Sequence, residues 1–301
     1  MQNFNGNFDK LCTELQRSVL EELSLPDLMS FAKTRMENNE GVKEYMDEHH
    51  RALFNRFVDD VGAFINLVER TRSVILGSST LHLFQAKSDA LGLQDLDVCA
   101  MQEFEEAMMS HFKDIEEYEL MNTVVRKTEY DSSAIMKIVK LAKGKKKIDV
   151  IITDWASATI PILQYHSTAV MNYMTAHTLI SLYPTWTADK KSLVNPAIYM
   201  DDRTNLHTVN VLMKYAHPVF HINAEPFHLG THKCRRNAYY PGTTRNTIDE
   251  NTLHWEFSPM NMIGQTKIAC DKMAVILWRL GGDDCEEGGD ERNSTYIGVT
   301  A

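Results

Sequence analysis

The sequence predicts an α+β fold, on three observations. Apolar residues recur at helical spacing through the first seventy residues. Short apolar segments of strand character follow at 73–76, 95–100 and 147–151. A Glu- and Met-rich helical stretch, 101–121, lies between the second and third of these segments.

The elements can be justified in order. Leu11, Leu15, Val19, Leu20 and Leu23 mark an amphipathic helix over 8–24. Ser24-Leu25-Pro26-Asp27 breaks and restarts it, because Pro is pre-organised for a first helical turn. The restarted helix is expected to end near Asn38-Asn39-Glu40-Gly41. A long helix should then cover Val42 to Thr71, burying Phe54, Phe57, Val58, Val61, Phe64, Ile65 and Val68. The first strand, Ser73 to Leu76, turns at Gly77-Ser78 into a short helix carrying Leu81, Leu83 and Phe84. The free amides at such a helix start attract phosphate. Asp95 to Ala100 is the second strand. Its period of two puts Asp95 and Asp97 on one face and Leu96 and Val98 on the other. Two carboxylates held together disfavour double ionisation unless a cation lies between them. All-oxygen ligands completed by substrate phosphates suit Mg²⁺ or Mn²⁺. Asp149, within Lys147-Ile148-Asp149-Val150-Ile151, supplies a third carboxylate.

The order Val74-Ile75-Leu76-Gly77-Ser78, then Asp95-Leu96-Asp97-Val98, then Ile148-Asp149-Val150 resembles the signature of the nucleotidyltransferase (polymerase beta-like) fold superfamily. The resemblance covers residues 70 to 185. The 16 residues between Ser78 and Asp95 exceed the family's usual spacing, and a loop insertion around 86–94 would absorb the excess. More loosely, the chain is similar to an uncharacterised fungal branch of that superfamily, some members of which carry an F-box-like N-terminus. Leu25-Pro26-Asp27-Leu28 resembles an F-box opening; the alternative is a helical arm packed on the core. The resemblance implies a mixed β-sheet flanked by helices. For 131–152, apolar spacing suits a helix ending at Gly144, whereas the resemblance implies a hairpin turning at Lys143-Gly144-Lys145, which we prefer. It further implies that a strand pair at 166–174 and 178–184 lines a nucleotide pocket, with Ser167 or Thr168 and Asn172 as nucleotide-binding positions beside Gly77 and Ser78.

The expected organisation is a helical N-terminal arm over 1–60, a nucleotidyltransferase-like core over 61–185, an α-rich region over 186–282 and an acidic disordered tail over 283–301. Helices are expected near 201–216 and 266–280. The basic run Lys143-Gly144-Lys145-Lys146-Lys147 reads either as a solvated face or as a contact for triphosphate or acceptor. His217, His221, His228, His232 and Cys234 lack the paired spacing of a zinc finger and read as scattered residues.

Bulk properties narrow the function classes. A net charge of −10 argues against broad nucleic-acid binding, which needs a basic surface to release counterions. No apolar run approaches the roughly 20 residues that span a bilayer. Five cysteines without a CxxC pair, and no secretory pattern in Met1–Gly6, lead us to expect an intracellular setting, cytoplasmic or nuclear. The resemblance implies a Mg²⁺-dependent transferase moving NMP from an NTP to an acceptor: a small molecule, an RNA end or a protein. Asp95, Asp97 and Asp149 would then be catalytic and hold the metal. The alternative is an inactive binding or adaptor protein of the same fold, recruiting a protein partner through the N-terminal helices.

Overall fold

A computed structural model describes residues 7–90, 92–126, 133–200, 206–216, 219–229, 238–259, 274–282 and 294–300. The N-terminal quarter is helical: α1 (Thr13–Glu21), α2 (Leu25–Ala32), α3 (Met36–Asn55) and α4 (Val61–Arg70). Ser24 stands at the N-cap position of α2, its hydroxyl donating to the Asp27 carboxylate at 2.5 Å, and the helix restarts at Pro26 as expected. Two boundaries differ from expectation. Asn38 to Gly41 do not end a helix but lie inside α3, where Asn38 is bonded to Thr34. The long helix expected from Val42 is broken at 56–60. There Asp60 caps α4 by accepting from Ala63 N–H, and buried Glu116 accepts from the backbone of Asp59 and Asp60. α4 buries Val61, Phe64, Ile65, Leu67 and Val68 along one stripe.

Then come β1 (Val74–Leu76), α5 (Gly77–Phe84), β2 (Leu96–Met101) and α6 (Glu105–Ser110). The stretch 101–121 is helical only in part, because a π-turn at His111–Ile115 closes it and β3 (Glu119–Val125) begins. β4 (Lys137–Lys143) and β5 (Lys146–Thr153) form the expected hairpin, turning at Gly144 with φ +59°. β6 (Asn172–Met174) and β7 (Thr178–Ser181) pair as expected, but 168–170 form a 3₁₀ turn rather than strand.

The remaining elements are α7 (Pro184–Ala188), β8 (Lys191–Leu193), α8 (Ala197–Met200), α9 (Leu206–Ala216), β9 (His221–Asn223), β10 (Arg245–Asn246), β11 (Leu253–Glu256), β12 (Val275–Arg279) and β13 (Tyr296–Thr300). The helix expected over 266–280 is instead strand where it is described, at 275–279. Residues 296–300, expected to be disordered tail, pair with it antiparallel. The acidic run from Asp283 to Glu291 lies outside the described residues.

The architecture is mixed α+β. An eight-stranded sheet runs in the order β11-β7-β6-β1-β2-β5-β4-β3, with β2 and β5 parallel and the other neighbours antiparallel. One face, carrying Leu96, Val98, Ile148, Val150 and Ile152, packs on the N-terminal helices. The other, carrying Val74, Leu76, Cys99 and Ile151, packs on Tyr183, Trp186 and Trp278 of the C-terminal elements. The small sheet β10-β12-β13 is fastened there by Arg245, only 4% exposed. Its guanidinium forks onto Asp249, bonds Leu182 O and lies about 5 Å from the rings of Tyr183, Tyr239 and Trp278. At the far edge β3 is exposed along its whole length. Among the described residues no helix is long and apolar enough to cross a membrane.

Candidate functional site

Register brings the carboxylates together. β2 and β5 are parallel neighbours in which Asp97 is the partner of Asp149, so both side chains leave the same face of the sheet side by side. Asp95 stands one residue ahead of β2 and acts on Asp97 by its charge. On the opposite flank β4 places Lys140 as the register partner of Asp149, and its ammonium bonds the Asp149 carboxylate at 2.5 Å. Across the edge pair, Asn122 of β3 faces Lys140. A single row thus crosses the sheet: Asp97, Asp149, Lys140, Asn122.

Asp97 is the perturbed member. Burial, then the charges of Asp95 and Asp149, push its pKa up to about 7, against the pull of Lys140 and Lys214. Among the described residues no hydrogen-bond donor reaches its carboxylate. For Lys140 burial works against the charge, but the bond to Asp149, with Asp95 and Asp97 behind it, prevails and raises its pKa.

Gly77 explains how the backbone comes so close. Its φ is +70°, which glycine adopts without strain, and a Cβ there would lie 2.1 Å from Asp97 Oδ2. The α5 N-terminus, with buried Ser78, therefore begins against the carboxylate. Thr80 holds this turn, its hydroxyl shared between Gly77 O and Asn172 O.

Thr168 and Asn172 are fully buried and engaged within the protein. Thr168 accepts from Leu193 N–H, and the Asn172 amide donates to Ala169 O. They brace the wall behind α5, although Asn172 Oδ1 is buried and finds no partner among the described residues. Two of the lysines in the basic run are also spoken for. Lys143 and Lys146 both bind Asp59, locking the β4–β5 turn to the α3–α4 junction. His221 is exposed, as is His228, whereas His217, His232 and Cys234 lie outside the described residues.

Sequence reasoning missed Lys140, Tyr165, Lys214 and Tyr215. Lys214 and Tyr215 come from α9, where Tyr215 packs with Leu81 of α5, and the Lys214 charge lowers the Asp97 pKa while Asp97 raises that of Tyr215. Tyr165, coupled to Asp97 and Asp149, has its phenol pKa raised far by burial. Lys140 alone had a local signal: once the hairpin is set, its register follows from counting back from the turn.

Carboxylate oxygens are the donor type for a hard divalent cation, and the donor-free Asp97 carboxylate is short of positive charge. Among the described residues, however, no group of three or more His, Cys, Asp or Glu side chains is spaced to hold a metal ion. One carboxylate of the row is held by Lys140 instead. No protein-family model, curated protein or solved structure matches the chain.

Proposed function

We propose that the protein is a Mg²⁺-dependent nucleotidyltransferase of the polymerase beta-like fold, transferring NMP from an NTP to an acceptor. The observation that carries the reading is the adjacent pair Asp97 and Asp149 with the Gly77 turn against it. A carboxylate pair and a helix start are the two features a metal-bound triphosphate requires. Asp95, Asp97 and Asp149 would hold Mg²⁺ or Mn²⁺, whose role when bound is to neutralise phosphate charge and activate the attacking hydroxyl. Gly77 lets the backbone approach a phosphate, and the amide of Ser78 donates to it. Asp97, poised to carry a proton near neutrality, would hold the cation in its ionised form, and Lys140, now bonded to Asp149, would be the nearest fixed cation for a phosphate.

The second reading, an inactive binding or adaptor protein, is favoured by one observation. The Lys140–Asp149 contact supplies the carboxylates with a cation already built into the fold.

Thermal melts of the full chain with each NTP and Mg²⁺, paired with pyrophosphate release, separate the two. The transferase reading expects a rise in Tm with at least one NTP, by linkage of binding to folding, and expects Asp95→Ala to lose both the rise and turnover. No shift with any NTP rejects it in favour of the adaptor.

A further inference from the structure

At the end of α5 away from Gly77, a cleft of about 300 Å³ opens between α1, α3 and α5. This is the lower end of the range for small-molecule pockets. Its lining sets three fixed cations, Arg17, Arg56 and Lys87, against one carboxylate, Glu21. At its wall two imidazoles face each other, His49 Nε2 and His82 Nε2 being 3.4 Å apart.

We propose that this cleft binds a small phosphomonoester, its phosphate seated between Arg17, Arg56 and the His49–His82 pair. Guanidinium forks match phosphate oxygens in geometry, and an imidazole pair offers further donors. Lys87 lies 2.7 Å from Glu21 and Arg17 2.8 Å from Glu48, but both are exposed pairs, worth little and open to exchange. Arg56 has no carboxylate partner among the described residues. The volume admits a phosphate on a sugar-sized body and excludes a long polyanion.

The same cation field opposes a metal ion at the imidazole pair. His49 is uncharged when the cleft is empty. Burial, then His82, with Arg17 and Arg56 and against Glu21, push the His49 pKa down to about 4. A dianion against the two rings favours their protonated form, so a seated phosphate draws the His49 pKa upward from that low value. Besides those charges, Tyr45 of α3 packs edge-on against His49.

The test is a histidine side-chain NMR titration of the full chain with inorganic phosphate, ribose 5-phosphate, ribose, NaCl at matched ionic strength, and Zn²⁺ alone. The expected result is saturable shifts of the His49 and His82 signals with both phosphates. Ribose 5-phosphate should bind at least as tightly as inorganic phosphate at pH 7.5, where both are mainly dianionic. Arg17→Gln on the exposed face of α1 with Arg56→Gln at the exposed C-cap of α3 should weaken binding tenfold or more. Asp95→Ala should leave it unchanged, which keeps this site separate from the proposed transferase chemistry. The proposal is overturned by equal shifts with NaCl, by full affinity in the double variant, by exclusion of ribose 5-phosphate, or by saturation with Zn²⁺ where phosphate gives none.

Discussion

Asp97 holds a proton in the folded chain that an unfolded chain has already released. Its pKa is raised from 3.8 to about 7, so its contribution to stability is full below pH 4 and is lost as pH rises through 7. Asp97→Asn removes that loss. Denaturant unfolding without metal should find the variant equal to wild type at pH 4 and more stable at pH 8. The gain should be a few kcal/mol, since each tenfold change in proton affinity is worth ~1.4 kcal/mol. Gly77→Ala should act in the opposite direction. Its Cβ would overlap Asp97 Oδ2 and its φ would be strained, so a loss of about 1–3 kcal/mol is expected in the same measurement, with the Asp97 titration displaced. Asp97 and Asp149 were legible in the sequence because alternation within a strand and apolar flanks are local facts. Lys214 and Tyr215 were not, since nothing in α9 says that it returns to pack beside Leu81 of α5, more than a hundred residues earlier.

Among the elements, the small C-terminal sheet depends on one cation. Arg245 joins β10 to Asp249, to Leu182 O and to three aromatic rings, and lysine can reproduce neither the fork nor the stacking. Arg245→Lys should cost about 1–3 kcal/mol, because lysine keeps the charge but leaves the fork on Asp249 and the bond to Leu182 O incomplete, read by denaturant unfolding. Hydrogen exchange should show protection lost first in β10, β12 and β13. This sheet was also the least legible part of the fold. Val275 to Arg279 is an apolar run as compatible with helix as with strand, and its choice was made by pairing with β13, not by its own pattern. The break between α3 and α4 was readable in principle. Asp59-Asp60 is an N-cap signal, hidden by the helical spacing that continues across it.

At the scale of the molecule, buried histidines set the acid limit. His50, stacked 3.9 Å from Phe257, has its pKa pushed down to about 3 by burial, then by His177; His49 and His166 are lowered to about 4, burial leading in both. Each is neutral when folded and charged when unfolded below pH 6.5, so each removes stability as pH falls from 6.5. Asp97 works the other way over the same window and cancels one of them. His111 is lowered by burial as well, so at least two net protons remain, which predicts a loss of about 3 kcal/mol per pH unit or more near pH 5 in equilibrium unfolding. His50→Phe, which preserves the stack on Phe257, should recover about a third to a half of that slope and change little at pH 7.5.

The bare strand β3 bears on how the protein behaves as a solution. Among the described residues one edge of it has no partner strand, leaving amides and carbonyls beside Leu120, Met121, Val124 and Val125, all about half exposed or more, and Glu119 is the one charge along its length. A strand so unguarded is a template for sheet-to-sheet growth between molecules. Concentrated or warmed samples should turn turbid well before the fold is lost. Val124→Lys, a gatekeeper charge midway along that strand, should raise the onset concentration in light scattering while the melting temperature stays within about a degree or two.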